Sequence, residues 1–212
     1  VNKPRGNWSG AIGGMKAAAE HDLRFGQRLL KAESSGWPAY FAVTTPSAYT
    51  VAETHLDQKP QSFEYANLLD WNHLQQIADS MPSNCELVVG IGGGIALDAS
   101  KYVALKHNLP LVIVPTIVST GSIIHSMFAK WDGHATRGPA KEWPWIDFDH
   151  AIIDYDVILK APEHLNSAGL GDVLCGYAPI AEWRRNSRLG IGPKFDQEAT
   201  AIAMGHFNEI RV

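Results

Sequence analysis

Apolar positions along this chain follow two patterns, a helical spacing near 3.6 residues and short unbroken runs. Leu23, Leu29 and Leu30 sit among charged and Gln residues, with Gly36 behind them, and predict a helix over Ala17–Ala32. Pro38–Thr45 (PAYFAVTT) predicts a strand ended by Pro46 and Ser47, and Ser47–Leu56 predicts a helix. Asp70–Met81 predicts a better one: Asp70 can cap it, and Leu74, Ile77 and Ala78 share a face. Glu86–Ile91 (ELVVGI) lacks polar alternation, as suits a strand buried on both faces. Three glycines follow, then an amphipathic helix over Ile95–His107. Leu111–Val114 (LVIV), stopped by Pro115, and Ala151–Asp154 (AIID) are two further buried strands.

Strands and helices taking turns in this order imply an α/β fold with a parallel sheet. Between Phe128 and Phe148 the pattern breaks: Gly133, Gly138, Pro139 and Pro144 mark a long loop, or a hairpin laid over the sheet. From Pro162 onward there is no strand run, and helices are predicted over Pro162–Ala168, Asp172–Arg185 and Phe195–Glu209. A boundary near Lys160 divides an α/β domain, residues 1–160, from the beginning of an all-helical domain, residues 161–212.

Composition narrows the classes. The chain has 212 residues, 45% apolar and 19% charged, with a net charge of −4. At roughly 150 residues per domain this is about 1.4 domains, consistent with one unit and a fraction. The slightly acidic balance argues against nucleic acid as a partner. The longest apolar stretch, Leu109–Val118, is cut by Pro115, so no membrane span is expected. The start, VNKPRGNWSG, has neither an initiator Met nor the apolar centre of a signal peptide, and reads as processed or incomplete. Cys85 and Cys175 lie far apart with no metal or redox spacing, which favours a cytoplasmic setting and makes the Asn7-Trp8-Ser9 sequon accidental.

The chemistry concentrates in two turns. Gly90-Ile91-Gly92-Gly93-Gly94 links a strand to a helix, where glycines admit an anion to backbone N–H groups and the helix adds positive charge. Ile95 departs from the G-x-G-x-x-G fingerprint, and no Walker A loop is present. A pyrophosphate site and a tight structural turn both remain open. Asp98 and Lys101 share a helix face, as a surface ion pair or as groups turned to the ligand crevice. The second turn, Pro115–Ser122, offers Thr116, Ser119, Thr120 and Ser122 to a sugar, phosphate or carboxamide, or as helix caps.

These motifs are G-G-G-x-x-x-D-x-x-K at 92–101, P-T-x-x-S-T-G-S at 115–122, and Ala168-Gly169-Leu170-Gly171-Asp172 leading into Ala181-Glu182-Trp183. Together they resemble the superfamily of iron-containing alcohol dehydrogenases, glycerol dehydrogenases and dehydroquinate synthases, most similarly the sn-glycerol-1-phosphate dehydrogenase branch. The resemblance spans about residues 30–185. It implies a Rossmann-like NAD(P)-binding domain, a helical metal-carrying domain and an active site between them. Gly92, Gly93 and Gly94 would hold the pyrophosphate, with Asp98 and Lys101 nearby. Thr116, Ser119, Thr120 and Ser122 would line the adenosine and nicotinamide side. Asp172 matches the first ligand of a divalent metal, zinc in preference to iron, which would polarise the substrate alcohol.

Three departures stand out. Thr44 and Thr45 occupy the place of an acidic residue that reads the NAD ribose, which admits NADP as well as NAD. Gly121 stands where many glycerol-type members carry Asp. Two histidines complete the metal site in these dehydrogenases, yet only His206 lies beyond Asp172 and it reads as a helix-surface residue. The chain is therefore expected to end before the metal site is complete, to bind NAD(P)H weakly and to turn nothing over; catalytic side chains stay unassigned.

The expected activity is hydride transfer between NAD(P) and a metal-bound secondary alcohol, glycerol 1-phosphate or a related polyol. Alternatives are a dehydroquinate-synthase-like cyclase, with Arg184, Arg185 and Arg188 holding phosphate, and a non-catalytic nucleotide-binding fragment. The partner is a small alcohol or phosphorylated polyol, with a homo-oligomer left open. Among the remaining groups, His125 faces the cleft or packs in the core or surface. Cys175 is a thiolate ligand or a small hydrophobe. Asp147, Asp149, Asp154 and Asp156 read as turn and cap residues. Trp143 and Trp145 form a lid or pack on the sheet.

Overall fold

A computed structural model describes residues 6–7, 21–129, 131–132, 135–136, 145–201 and 204. In chain order the elements are β1 (Gly6–Asn7), β2 (Asp22–Gly26), α1 (Leu29–Ser34), β3 (Tyr40–Thr44), α2 (Pro46–Ala52), β4 (Ser62–Tyr65), α3 (Trp71–Asp79), β5 (Leu87–Gly92) and α4 (Gly94–His107). There follow β6 (Leu111–Pro115), β7 (Trp131–Asp132), β8 (Ala135–Thr136), β9 (Trp145–Ile146), β10 (His150–Asp154), α5 (Tyr155–Ile158), α6 (Glu163–Cys175) and α7 (Tyr177–Arg188).

Six strands form one sheet in the order β2-β10-β6-β5-β3-β4, every pair parallel. The apolar runs are buried on both faces, and the period of two splits them into two cores. Phe41, Val43, Val88, Leu111, Ile113, Ala151 and Ile153 face Leu74, Ile77 and Ala78 of α3 and Leu97, Tyr102 and Val103 of α4. Tyr40, Ala42, Val89, Ile91, Val112, Val114 and Ile152 face Leu30, Ala52 and Val157 of α1, α2 and α5. This is the doubly wound, three-layer arrangement expected from alternating strands and helices.

Several expectations are met. Asp70 caps α3 by accepting Asn72 N at 2.9 Å and His73 N at 3.4 Å. Of the four aspartates read as turn and cap residues, Asp154 caps α5 by accepting Asp156 N at 2.9 Å. The other bonds are long-range rather than local: Asp149 Oδ2 takes Leu111 N at 2.9 Å, Asp154 Oδ2 takes Leu30 N at 2.8 Å, Asp156 Oδ2 takes Arg28 N at 3.1 Å, and Asp147 Oδ1 takes the Ser126 hydroxyl at 2.9 Å. Trp145 is buried, whereas Trp143 lies outside the described residues. In the interrupted region β7 pairs with β8 and β9 with β1, both antiparallel.

Others are corrected. Residues 22–26, expected within a helix, are the edge strand β2, aligned with β10 so that Leu23 sits opposite Ala151. Only Leu29–Ser34 is helical there, and 17–20 lie outside the described residues. A strand partner 128 residues away overrode a helical spacing that rested on three leucines. Strand β4 went unread because all but its last residue are half-buried and it has no apolar run. Helix α4 is not amphipathic: every residue from Ala96 to Ala104 is buried, because α3 covers one side and β9 with the 121–123 turn another. Gly90 lets α4 lie close on β5, since a Cβ there would overlap the Ser100 hydroxyl. Helix α6 runs unbroken through Gly169 and Gly171, where a gap at 169–171 was expected. No residue of α6 or α7 is buried. Of the last expected helix, residues 197–201 and 204 are helical, Phe195 and Asp196 precede the helix, and 202–203 and 205–209 lie outside the described residues.

Candidate functional site

From β3 the chain moves outward to β4, then crosses back to β5 on the opposite side of β3. The reversal opens a crevice between the carboxyl ends of β3 and β5, the place where such sheets take ligands. Thr45 closes β3, in extended backbone, and its Oγ1 accepts Ala48 N at 3.4 Å as the cap of α2. Gly92, Gly93 and Gly94 close β5.

Each of these glycines is needed for a different reason. Gly92 has φ +152°, and a Cβ on it would come 2.8 Å from the Ala96 Cβ. A Cβ on Gly93 would come 2.8 Å from Ile117 Cδ1, so the turn after β6 presses on the turn after β5. Gly94 opens α4, whose N-terminus has no side-chain cap. Its Cβ position lies 3.3 Å from Thr120 Oγ1 and 3.4 Å from Ser122 Oγ. The two turns singled out in the sequence therefore meet at Gly94, with two hydroxyls beside the free N–H groups of a helix start. That combination of donors and dipole attracts an anion.

The other hydroxyls serve partly as scaffold. Thr116 is buried, and its N–H donates to the Gly92 carbonyl at 3.1 Å, tying the turns together. Thr120 is exposed and its Oγ1 accepts Ser122 N at 3.2 Å, so it caps the short 3₁₀ turn Gly121–Ile123 while also bordering Gly94. Ser119 is half-buried.

Asp98 and Lys101 are neither a surface pair nor free groups in the crevice. Lys101 is 0% exposed and Asp98 5%. The Lys101 ammonium donates to Asp98 Oδ1 at 3.2 Å, Ser122 O at 2.8 Å and Met127 O at 3.1 Å, which uses all three of its protons. Asp98 Oδ2 accepts Ala129 N at 3.1 Å. Burial pushes the Lys101 amine below its usual range, opposed by the Asp98 charge. The pair braces the 122–129 segment beneath the turn and has no donor left for a ligand.

His125 lies beside this brace. It is half-buried, its Nδ1 is 2.8 Å from Met127 O, and burial followed by the Lys101 charge lowers its pKa below 6.5. Burial, then Arg24, lowers that of His150 in the same direction, against Glu33. The unfolded chain accordingly takes up these two protons at a higher pH than the folded one. Stability from this source is present above about pH 6.5 and is lost as pH falls from there toward the folded-state values. Thermal melts between about pH 5 and 7 should show Tm rising with pH, with a flatter slope in the His125→Gln/His150→Gln double variant. An equal slope in that variant would contradict this origin.

Helix α6 docks on the same turn through Asn166, which sequence reasoning missed, and Gly169, which it read only as part of a motif. Asn166 Oδ1 accepts Val118 N at 3.2 Å while its Nδ2 donates to Ile158 O at 3.0 Å. A Cβ on Gly169 would overlap the Val118 carbonyl, so this glycine sets how closely α6 approaches. The glycine was a visible signal; the amide had none. Asp172, one helical turn after Gly169, is exposed, as is Cys175. Among the described residues no three His, Cys, Asp or Glu side chains converge, and His206 lies outside them. Arg184, Arg185 and Arg188 line an open groove with Tyr177 and Phe195, away from the glycine turn. No described helix is long and apolar enough to cross a membrane.

Fold and turns together define a doubly wound parallel α/β unit with a glycine turn at its switch point. Residues 43–162 match the family model for iron-containing alcohol dehydrogenase, and the chain belongs to that family. It is 34% identical over 128 residues to the glycerol-1-phosphate dehydrogenase [NAD(P)+] of Aeropyrum pernix, covering 59% of this chain and 34% of that protein. The enzyme of the same name from Saccharolobus islandicus is 29% identical over 160 residues, covering 70% and 43%. The chain thus spans well under half the length of these relatives. Glycerol dehydrogenase from Schizosaccharomyces pombe shares its fold at a TM-score of 0.63 and 18% identity, over 79% of this chain and 45% of that one. An iron-containing alcohol dehydrogenase from Thermotoga maritima does so at 0.58 and 19% identity, over 79% and 58%.

Proposed function

We propose that this chain carries the cofactor half of an NAD(P)-dependent dehydrogenase acting on glycerol 1-phosphate or a related polyol. The observation that carries the reading is the meeting of Gly94 with the Thr120 and Ser122 hydroxyls at the uncapped start of α4. These donors suit a diphosphate in charge and in number. The relatives named for glycerol 1-phosphate supply the substrate class.

In this reading Gly92 and Gly93 let the backbone approach the diphosphate, while Thr120, Ser122 and the first N–H groups of α4 hold it. Asp98 and Lys101 keep the 122–129 segment in place from below. Thr45 ends β3 without a carboxylate, which leaves room for NADP as well as NAD. The bound nicotinamide supplies hydride transfer; the chain's residues bind and orient it. Residues 161–212 are proposed as the beginning of a helical metal-binding domain, with Asp172 as one carboxylate donor to a divalent metal, zinc by preference. The described residues do not complete a donor set, so no step is assigned to a metal here. A cytoplasmic setting belongs to the same proposal, in keeping with Cys85 and Cys175 being unpaired.

Fluorescence titration of the chain with NADH and NADPH tests the reading. Both are expected to bind, within about tenfold of each other, since no carboxylate repels a 2′-phosphate. Failure of both to bind would overturn it.

A further inference from the structure

We infer that His21, Ser126 and Asp147 are positioning residues: joined in one hydrogen-bond chain, they set the Ser122 hydroxyl against the start of α4 without touching the nucleotide. The inference rests on the nucleotide-binding reading above and adds to it three residues from the opposite end of the sheet.

The three groups form a directed chain. The Ser126 hydroxyl donates to Asp147 Oδ1 at 2.9 Å, and His21 Nε2 lies 3.2 Å from the same hydroxyl oxygen. A hydroxyl has one proton, and here the carboxylate takes it. The hydroxyl oxygen therefore accepts from His21, which puts a ring proton on Nε2. Ser126 is 0% exposed and His21 7%, so the chain is shielded from bulk solvent. The imidazole stacks on Phe148, with ring centroids 4.0 Å apart and planes inclined by 14°, and this holds its plane.

The chain anchors Ser126 to a fixed part of the sheet. His21 directly precedes β2 and Asp147 lies shortly before β10, and these strands are parallel neighbours with Asp22 opposite His150. The Ser126 carbonyl accepts Ile146 N at 3.0 Å, next to Asp147. Met127 pairs with Trp145 in an antiparallel bridge.

From Ser126 the constraint passes to Ser122. The backbone between them is closed by His125 N, which donates to Gly121 O at 3.2 Å. Lys101 grips the segment on either side of Ser126, at Ser122 O and Met127 O. An ammonium is a compact charge with three rotatable donors and sets direction loosely. A hydroxyl that gives one bond and receives another is held more closely, because a shift that relieves one bond spoils the other. Lys101 thus ties the segment to α4, and the Ser126 chain sets where along α4 the Ser122 hydroxyl stands.

A double-mutant cycle read by ADP and NADH binding tests this. His21→Phe keeps the ring stack on Phe148, removes the donor and leaves the Ser126 proton on Asp147. It should weaken ADP and NADH alike, about fivefold, the worth of one hydrogen bond. His21→Gln, which returns an N–H near the place of Nε2, should recover most of the loss. In a Ser122→Ala background His21→Phe should cost nothing further, because the hydroxyl through which it acts is gone. A role in stability alone predicts additive losses and no recovery by Gln. Asp147→Asn, which keeps an acceptor, should bind as the parent does, and Asp147→Val should lose about as much as His21→Phe. This second pair repeats the comparison should His21→Phe fail to fold. On the parent chain, the ¹⁵N resonance of His21 Nε2 should be that of a protonated nitrogen. Unchanged affinity in His21→Phe, additive losses in the cycle, no recovery in His21→Gln, equal affinities of the two Asp147 variants, or an unprotonated Nε2 would overturn the inference while leaving the nucleotide reading intact. Absence of any nucleotide binding by the parent would overturn both.

Discussion

Replacing Lys101 with methionine is expected to destabilise the fold by about 3–5 kcal/mol, the cost of removing one partner from a buried ion pair. The methionine keeps much of the stem volume, so the loss is electrostatic rather than a cavity. It strips Asp98 of its counter-charge in a site that is 5% exposed, leaves the Ser122 carbonyl without the Lys101 donor, and leaves the Met127 carbonyl with His125 Nδ1 alone beside it. Coulombic attraction within the pair is offset by the desolvation that already pushes the Lys101 amine down, so the pair itself adds little net stability. Breaking it is what costs. The double variant Lys101→Met/Asp98→Leu should therefore recover part of the loss, because no uncompensated charge remains. Urea unfolding of the three proteins measures this as a shift in midpoint at constant slope. A single variant within about 1 kcal/mol of the parent would show that the brace is dispensable.

The second large effect is on binding. Gly94→Val should weaken NADH about 100-fold, ~2.7 kcal/mol. Gly94 does not have the positive φ of Gly92; its Cβ position is 3.3 Å from Thr120 Oγ1 and 3.4 Å from Ser122 Oγ, so a side chain there displaces those hydroxyls by a few tenths of an ångström. Its added methyls would fill the space between the helix start and the Thr120 and Ser122 hydroxyls, where the diphosphate is proposed to sit. Gly92→Val would not discriminate, since φ +152° and the 2.8 Å approach to Ala96 would strain the fold itself. Retained NADH affinity in a folded Gly94→Val protein would remove the diphosphate from this turn.

Much of this arrangement was legible beforehand. ELVVGI, LVIV and AIID are unbroken apolar runs because their strands are buried on both faces, and burial on both faces requires parallel pairing with helices on either side. The glycine turn was legible because few residues other than glycine fit φ +152° with a neighbour at 2.8 Å. The Asp70 cap was legible because capping is local. What escaped notice had distant causes. Strand β2 owes its form to β10, β4 to the edge of β3, and the amide of Asn166 bonds a turn 48 residues earlier.

Asp98 and Lys101 make the division concrete. Their spacing places both on one helix face, and local order of the chain goes no further than that. Whether the face meets water, a ligand or protein depends on what covers it, and the cover comes from residues 122–129. Local pattern thus decided the strands, the turn chemistry and the family motifs, because each depends on neighbours within a few residues. Tertiary packing decided that the Asp98–Lys101 pair is a buried brace, that α4 is enclosed, and that two separate turns meet at Gly94. Burial and desolvation are properties of the assembled layers, and no single stretch of the chain contains them.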